Sequence, residues 1–254
     1  MTSPRARTPP APYARSLRSE ATRHELLLAA ERLFALHGLK GVSLRQIVAA
    51  TRQRNISTVH YHFGSRDALA FAICDLRMPQ IEAQRSARIA HFLDLPPPPA
   101  ERACALMRIV IEPSLEPILA SRGRSHFRRL LAHAFVSDVV DLRAYIEGRY
   151  DLAIRQTASL LRQELPHLSR ETFATRWALL IRAVTYLLAN LEARAELVSW
   201  RMGKAILDSE TSAMAAAFAG FFAGPEDGRM VVGQSRVEKR GRVVSKHRSE
   251  AKAQ

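Results

Sequence analysis

The side chains best suited to chemistry fall in one short stretch, Val42 to Leu69. Asn55, Ser57, Thr58, His60 and Tyr61 offer an amide, two hydroxyls, an imidazole and a phenol in close succession. All can hydrogen-bond to base edges or phosphate oxygens. Arg45, Arg52, Arg54 and Arg66 surround them with positive charge. Polar donors ringed by guanidinium groups suit the binding of a polyanion. The signatures of bond-breaking chemistry are missing: the sequence holds no His-Glu-x-x-His, no phosphate-binding loop and no Gly-x-Ser-x-Gly. His60 and His62 resemble a metal pair, but on a helix residues two apart face different ways. No enzyme, metal site or cofactor is therefore expected.

Such side chains need short, rigid elements behind them. Ser43 reads as an N-cap, and Leu44, Ile47 and Val48 form one apolar stripe at helical spacing. The polar run Thr51 to Asn55 breaks that stripe. Asn55 or Ser57 can cap a second short helix, with Ile56, Val59 and Phe63 inward and Ser57, Thr58, His60 and Tyr61 outward. Gly64 reads as a left-handed stop. Ser65 then caps a third helix, with Asp67 in its first turn. Two short helices crossing at a turn make a helix-turn-helix, whose second helix can lie in a DNA major groove. An ordinary solvated helical hairpin would give much the same pattern.

Charge supports a nucleic-acid partner. The 254 residues include 38 Lys+Arg against 24 Asp+Glu, a formal net charge of +14. Residues 1–72 hold eleven Lys/Arg against four Asp/Glu, a net of +7, so half the excess sits in little over a quarter of the chain. A general preference for arginine accounts for part of the total but not for this asymmetry. Cys74 and Cys104 are far apart and form neither a zinc knuckle nor a disulfide framework, which fits a reducing cytoplasm. No apolar segment reaches the roughly 20 residues of a membrane span, and no signal peptide is visible.

The rest of the chain reads as helix throughout. Residues 1–18 are rich in Pro and Arg and are expected to form a disordered basic arm. A first helix is predicted over about 19–37, with Leu26, Ala30, Leu33 and Phe34 inward and Gly38 as its stop. The helix after Ser65 is expected to reach about Phe92, with a kink or early end at Pro79. Pro96 to Pro99 mark a stiff connector. Helices are then expected over about 100–111, 124–135, 139–165, 170–200 and 206–222, with 165–169 as the turn before the fourth of them and Ser169 as its cap. Pro113 and Pro117 allow only a short piece between the first two. Residues 225–254 are polar and basic and are expected to be a disordered tail. No alternating strand pattern of useful length occurs.

Phe34, Gly38, the run Ser43-Leu44-Arg45-Gln46-Ile47 and the run His60-Tyr61-His62-Phe63-Gly64-Ser65-Arg66-Asp67-Ala68-Leu69 resemble the N-terminal domain of the TetR family of bacterial transcriptional regulators. The similarity runs from about Thr22 to Ile73. Two features depart from the family pattern: the Thr51–Asn55 turn is one residue longer, and His60 stands where tyrosine is usual, with Tyr61 one place later. The resemblance implies an all-α protein with residues 19–73 as the DNA-binding domain and residues 74–224 as a helical ligand-binding and dimerisation domain. It implies a cytoplasmic homodimer, a repressor, that binds a palindromic double-stranded operator and is released by a small apolar effector. Ser43, Arg45, Asn55, Ser57, Thr58, His60, Tyr61 and Arg66 are the expected DNA contacts. Met107, Phe127, Leu131, Phe135, Trp177 and Tyr186 are candidates for the effector pocket. Phe173, Trp177, Leu180, Val184, Met214, Phe218 and Phe222 are candidates for a four-helix dimer interface. The alternative is a nucleoid-packing protein that binds DNA without sequence preference.

Overall fold

The computed structural model describes residues 12–136 and 141–226. Among them there are eleven α-helices, one 3-10 turn and no strand. The expected arm at 1–11 and the expected tail from 227 onward lie outside the described residues. The first helix, α1 (Pro12–His37), begins seven residues before the expected start at 19. Residues 12–18 of the predicted arm are therefore helical, and proline is well suited to a helix's first turn. Leu26, Leu27, Ala30 and Phe34 are buried along one face, and Gly38, at φ +70°, ends the helix.

Local capping sets the helix-turn-helix. In α2 (Leu44–Ala49), the Ser43 hydroxyl accepts from the Gln46 amide at 3.3 Å. The Ser43 amide in turn donates to Gln46 Oε1 at 2.8 Å, completing a capping box. The next helix, α3 (Ser57–Phe63), has only seven residues, too short to be stable alone. Val59 is buried beneath it, and the Arg23 guanidinium of α1 lies 5.2 Å from the Phe63 ring. Gly64 takes φ +76° at its end.

The long helix α4 (Arg66–Asp94) passes through Pro79 without ending. Buried Met78 and Ile81 on either side hold it in place. Beyond the proline connector come α5 (Pro99–Ile111), a 3-10 turn (Glu112–Leu115) and α6 (Glu116–Ala120). Then follow α7 (Phe127–Val136), α8 (Leu142–Ile146) and α9 (Leu152–Glu164). The single helix expected over 139–165 is thus two. Gly148 adopts φ +78° between them, and its amide donates to Asp151 Oδ1 at 2.9 Å, a local bond that competes with helix continuation. The last pair is α10 (Arg170–Glu196) and α11 (Trp200–Ala223). Ser169 caps α10 as expected, accepting from the Thr172 amide at 3.1 Å. Gly203 lets α11 leave close to α10, since a Cβ there would stand 3.1 Å from the Ala195 carbonyl oxygen.

Two hydrophobic cores result. The first joins α1, α2, α3 and the N-terminal half of α4 to Phe127, Leu130, Leu131 and Ala134 of α7. The second joins the far end of α4 to α5, α9, α10 and α11. The helix-turn-helix therefore shares its core with α7, and α4 passes through both cores. No helix among the described residues is long and apolar enough to cross a membrane.

Candidate nucleic-acid interface and internal cavity

The turn between α2 and α3 is held from below. Glu25 of α1 accepts the Arg52 amide at 2.8 Å through one carboxylate oxygen and Gln53 Nε2 at 3.4 Å through the other. Thr51 Oγ1 donates to the Val48 carbonyl at 2.8 Å and accepts the Gln53 amide. Arg52 and Arg54 are left exposed beside α3.

The expected DNA contacts separate into free and engaged groups. Tyr61 is 81% exposed and Arg45 is exposed. Ser57 is exposed and Thr58 half-buried. Asn55 Oδ1 is occupied by the Ser57 amide at 2.9 Å, so Asn55 shapes the start of α3. The Ser43 hydroxyl is occupied by its capping box. His60 Nδ1 lies 2.9 Å from the Gly64 carbonyl oxygen. A carbonyl only accepts, so Nδ1 carries the proton and a neutral ring leaves Nε2 as an acceptor. Arg66 is half-buried, and its Nε is 3.8 Å from Asp67. At the base of α3, burial and the Arg23 charge hold the His62 imidazole below its ordinary range.

A cavity of about 490 Å³ opens between α4, α7, α8, α9 and α10. Of the candidates for an effector pocket, Leu131, Phe135 and Trp177 line it. Met107, Phe127 and Tyr186 do not. Met107 fills the second core, Phe127 fills the first, and Tyr186 faces outward from α10. Two residues that sequence reasoning missed, Arg85 and Arg128, also line the wall, each only 6% exposed. Burial lowers the Arg85 guanidinium from its ordinary range, against the pull of Glu82. Burial and the like charge of Arg85 push Arg128 down to about 9.

The start of α7 ties the cavity to the DNA-binding part. Glu31 of α1, 1% exposed, accepts the His126 amide at 2.8 Å, Ser125 Oγ at 3.3 Å and Arg77 Nε of α4 at 2.8 Å. From the other side, Glu192 of α10 accepts the Arg128 and Arg129 amides at 3.2 and 3.0 Å. Two carboxylates thus meet the open amides of one helix end, where the dipole favours anions. Burial still pushes the Glu192 carboxyl up to about 7, against those two amides.

The residues expected at a dimer interface divide by face. Leu180, Val184 and Phe222 are buried inside the protomer, and Val184 lines the cavity. Phe173, Trp177, Met214 and Phe218 are half-buried against the same core. Trp177 stacks on Phe173 at 6.2 Å and meets Phe222 edge-on at 6.5 Å. The outward faces of α10 and α11 instead present Leu179, Tyr186, Leu187, Met202 and Phe221.

Residues 26–73 match a family model described as "Bacterial regulatory proteins, tetR family". Residues 108–224 match one described as "Tetracyclin repressor-like, C-terminal domain". No curated protein matches the sequence. A protein of Mesorhizobium loti of known crystal structure, assigned to the TetR family of transcriptional regulators, is 15% identical. The match covers 80% of this chain and 98% of that one, with a TM-score of 0.46. With an N-terminal and a C-terminal family model both matched in order, the chain belongs to the TetR family of transcriptional regulators and has a DNA-binding helix-turn-helix domain.

Proposed function

We propose that this regulator is a cytoplasmic, homodimeric repressor that binds a palindromic operator and is released when a small molecule with an apolar body enters the internal cavity. The observation that carries the reading is α7. It contributes Leu131, Phe135 and Arg128 to the cavity wall and Phe127 and Leu130 to the core of the helix-turn-helix. A ligand that displaces α7 would act on both.

On DNA, α3 would enter the major groove with Ser57, Thr58, His60 and Tyr61 toward the bases. Arg45, Arg66 and the starts of α2 and α4 would meet phosphates. Two copies would associate through the outer faces of α10 and α11, where Leu179, Tyr186, Leu187 and Phe221 are apolar and uncovered. The effector would shift the population toward a DNA-incompetent state by binding that state better.

Footprinting on the DNA beside the protein's own gene, joined to sedimentation of the bound species, tests this. A protected inverted repeat bound by a dimer is expected. Even coverage without a preferred site would favour the nucleoid-packing alternative.

A further inference from the structure

Buried arginines are normally fully paired, and these two are not. Arg85 Nη1 binds Glu82 Oε1 at 2.9 Å, and its Nη2 binds Ser114 Oγ at 2.9 Å and the Val110 carbonyl at 3.3 Å. Its Nε has no partner. Arg128 Nε donates to the Ser114 carbonyl at 2.8 Å, while its Nη2 has no partner. Among the described residues no carboxylate lies at ion-pair distance from Arg128. Both guanidinium groups are thus fastened to one residue, Ser114, and line one cavity. A buried charge without a partner is costly in a folded protein unless an anion reaches it.

From this we infer that the cavity takes an organic monocarboxylate, held by its anionic head at Arg85 and Arg128 with its apolar body against Leu131, Phe135 and Trp177. The inference rests on the proposed reading of the cavity as the effector site and names the effector's chemistry. No carboxylate pairs with the Arg128 guanidinium, and the charge of Glu192, held on the Arg128 amide, offsets its burial only in part, so one further negative charge completes the site. A planar carboxylate suits two guanidinium groups because each offers in-plane N–H donors. The volume lies within the usual range for small-molecule pockets. At the mouth, Arg143 and Arg182 are exposed and favour the approach of an anion, while the lining acid Asp151 is paired with Arg155 at 2.9 Å. Glu147, the other acid of the lining, is exposed.

The test is calorimetric titration of the full-length protein with octanoate and phenylacetate, and with octanamide and phenylacetamide, which keep the carbon skeleton without the charge. At least one acid should bind about tenfold or more tighter than its amide, the range of a lost charge-assisted hydrogen bond. Arg128→Met should remove that preference while amide binding stays, and without ligand it should raise Tm, because an unpaired buried charge is gone. Amides binding as well as acids would overturn the assignment and leave the cavity reading standing. If neither acids nor amides bind, both fail. An acid that binds with the expected preference yet leaves DNA affinity unchanged would support the anion site and end the effector reading. The acid–amide comparison uses the unaltered protein, so it decides the matter even if Arg128→Met does not fold.

Discussion

Glu31→Gln tests the link between the two halves of the molecule. The carboxylate has three donors: Arg77 Nε and the His126 amide, both at 2.8 Å, and Ser125 Oγ at 3.3 Å. Glutamine keeps one carbonyl oxygen and puts an NH2 where the other stood. If the oxygen stays on His126 and Ser125, the NH2 faces Arg77 Nε, donor against donor. If it turns round, the buried His126 amide is orphaned. Either way one charge-assisted bond is lost and one donor is left unmet, about 2–3 kcal/mol in all. For a protein of this size that corresponds to roughly 4–12 °C in Tm. A surface pair is the control. Lys204 and Asp208 lie 2.6 Å apart with side chains 52% and 56% exposed, so Asp208→Asn should cost under about 1 kcal/mol. Urea unfolding of the three proteins at one fixed concentration provides the comparison, since a dimer's apparent stability depends on concentration. A Glu31→Gln change no larger than the Asp208→Asn change would refute the view that Glu31 ties α1, α4 and α7 together.

Three further outcomes are expected. Ser43→Ala removes the capping box of α2 and should lower stability by about 1 kcal/mol, read by thermal circular dichroism. Gly64→Ala meets no atom within 4 Å but must hold φ +76°, so a comparable cost of about 1 kcal/mol should come from the backbone alone. For Glu192, burial raises the carboxyl from an ordinary 4.5 to about 7, so between these values the folded chain holds a proton that the unfolded chain has released. Its contribution to stability is whole below pH 4.5 and lost as pH rises through about 7. Glu192→Gln should flatten that limb when unfolding at pH 5 and pH 8 is compared with wild type.

What was legible in the sequence was local. Ser43, Ser65, Ser169, Gly38 and Gly64 act within a turn of their own positions, so residue type alone predicts them. The apolar stripe of α10 was equally plain, but it names the face most in need of cover. That face, with Leu180, Val184, Leu188 and Leu191, turned to the protomer's own core. The weaker outer stripe at Leu179, Tyr186 and Leu187 was hidden behind it. Glu25, Glu31 and Glu192 have no pairing spacing that stands out in the sequence, because their partners lie 27, 95 and 64 positions away. Arg85 and Arg128 were lost among many arginines, since only burial sets them apart. In α8 and α9, Gly148 was the one mark of the break inside an otherwise helical pattern.

Sequence-selective DNA binding by α3 is the central claim, and one comparison tests it most directly. Wild type, Tyr61→Ala and Arg45→Ala are each bound to the footprinted operator and to random-sequence DNA at two salt concentrations. Tyr61→Ala should lose roughly 1–3 kcal/mol on the operator and much less on random DNA. Arg45→Ala should weaken both alike and lower the log–log salt slope by about 0.9 for the phosphate contact removed. Equal proportional loss on both DNAs for Tyr61→Ala would contradict base reading from this helix.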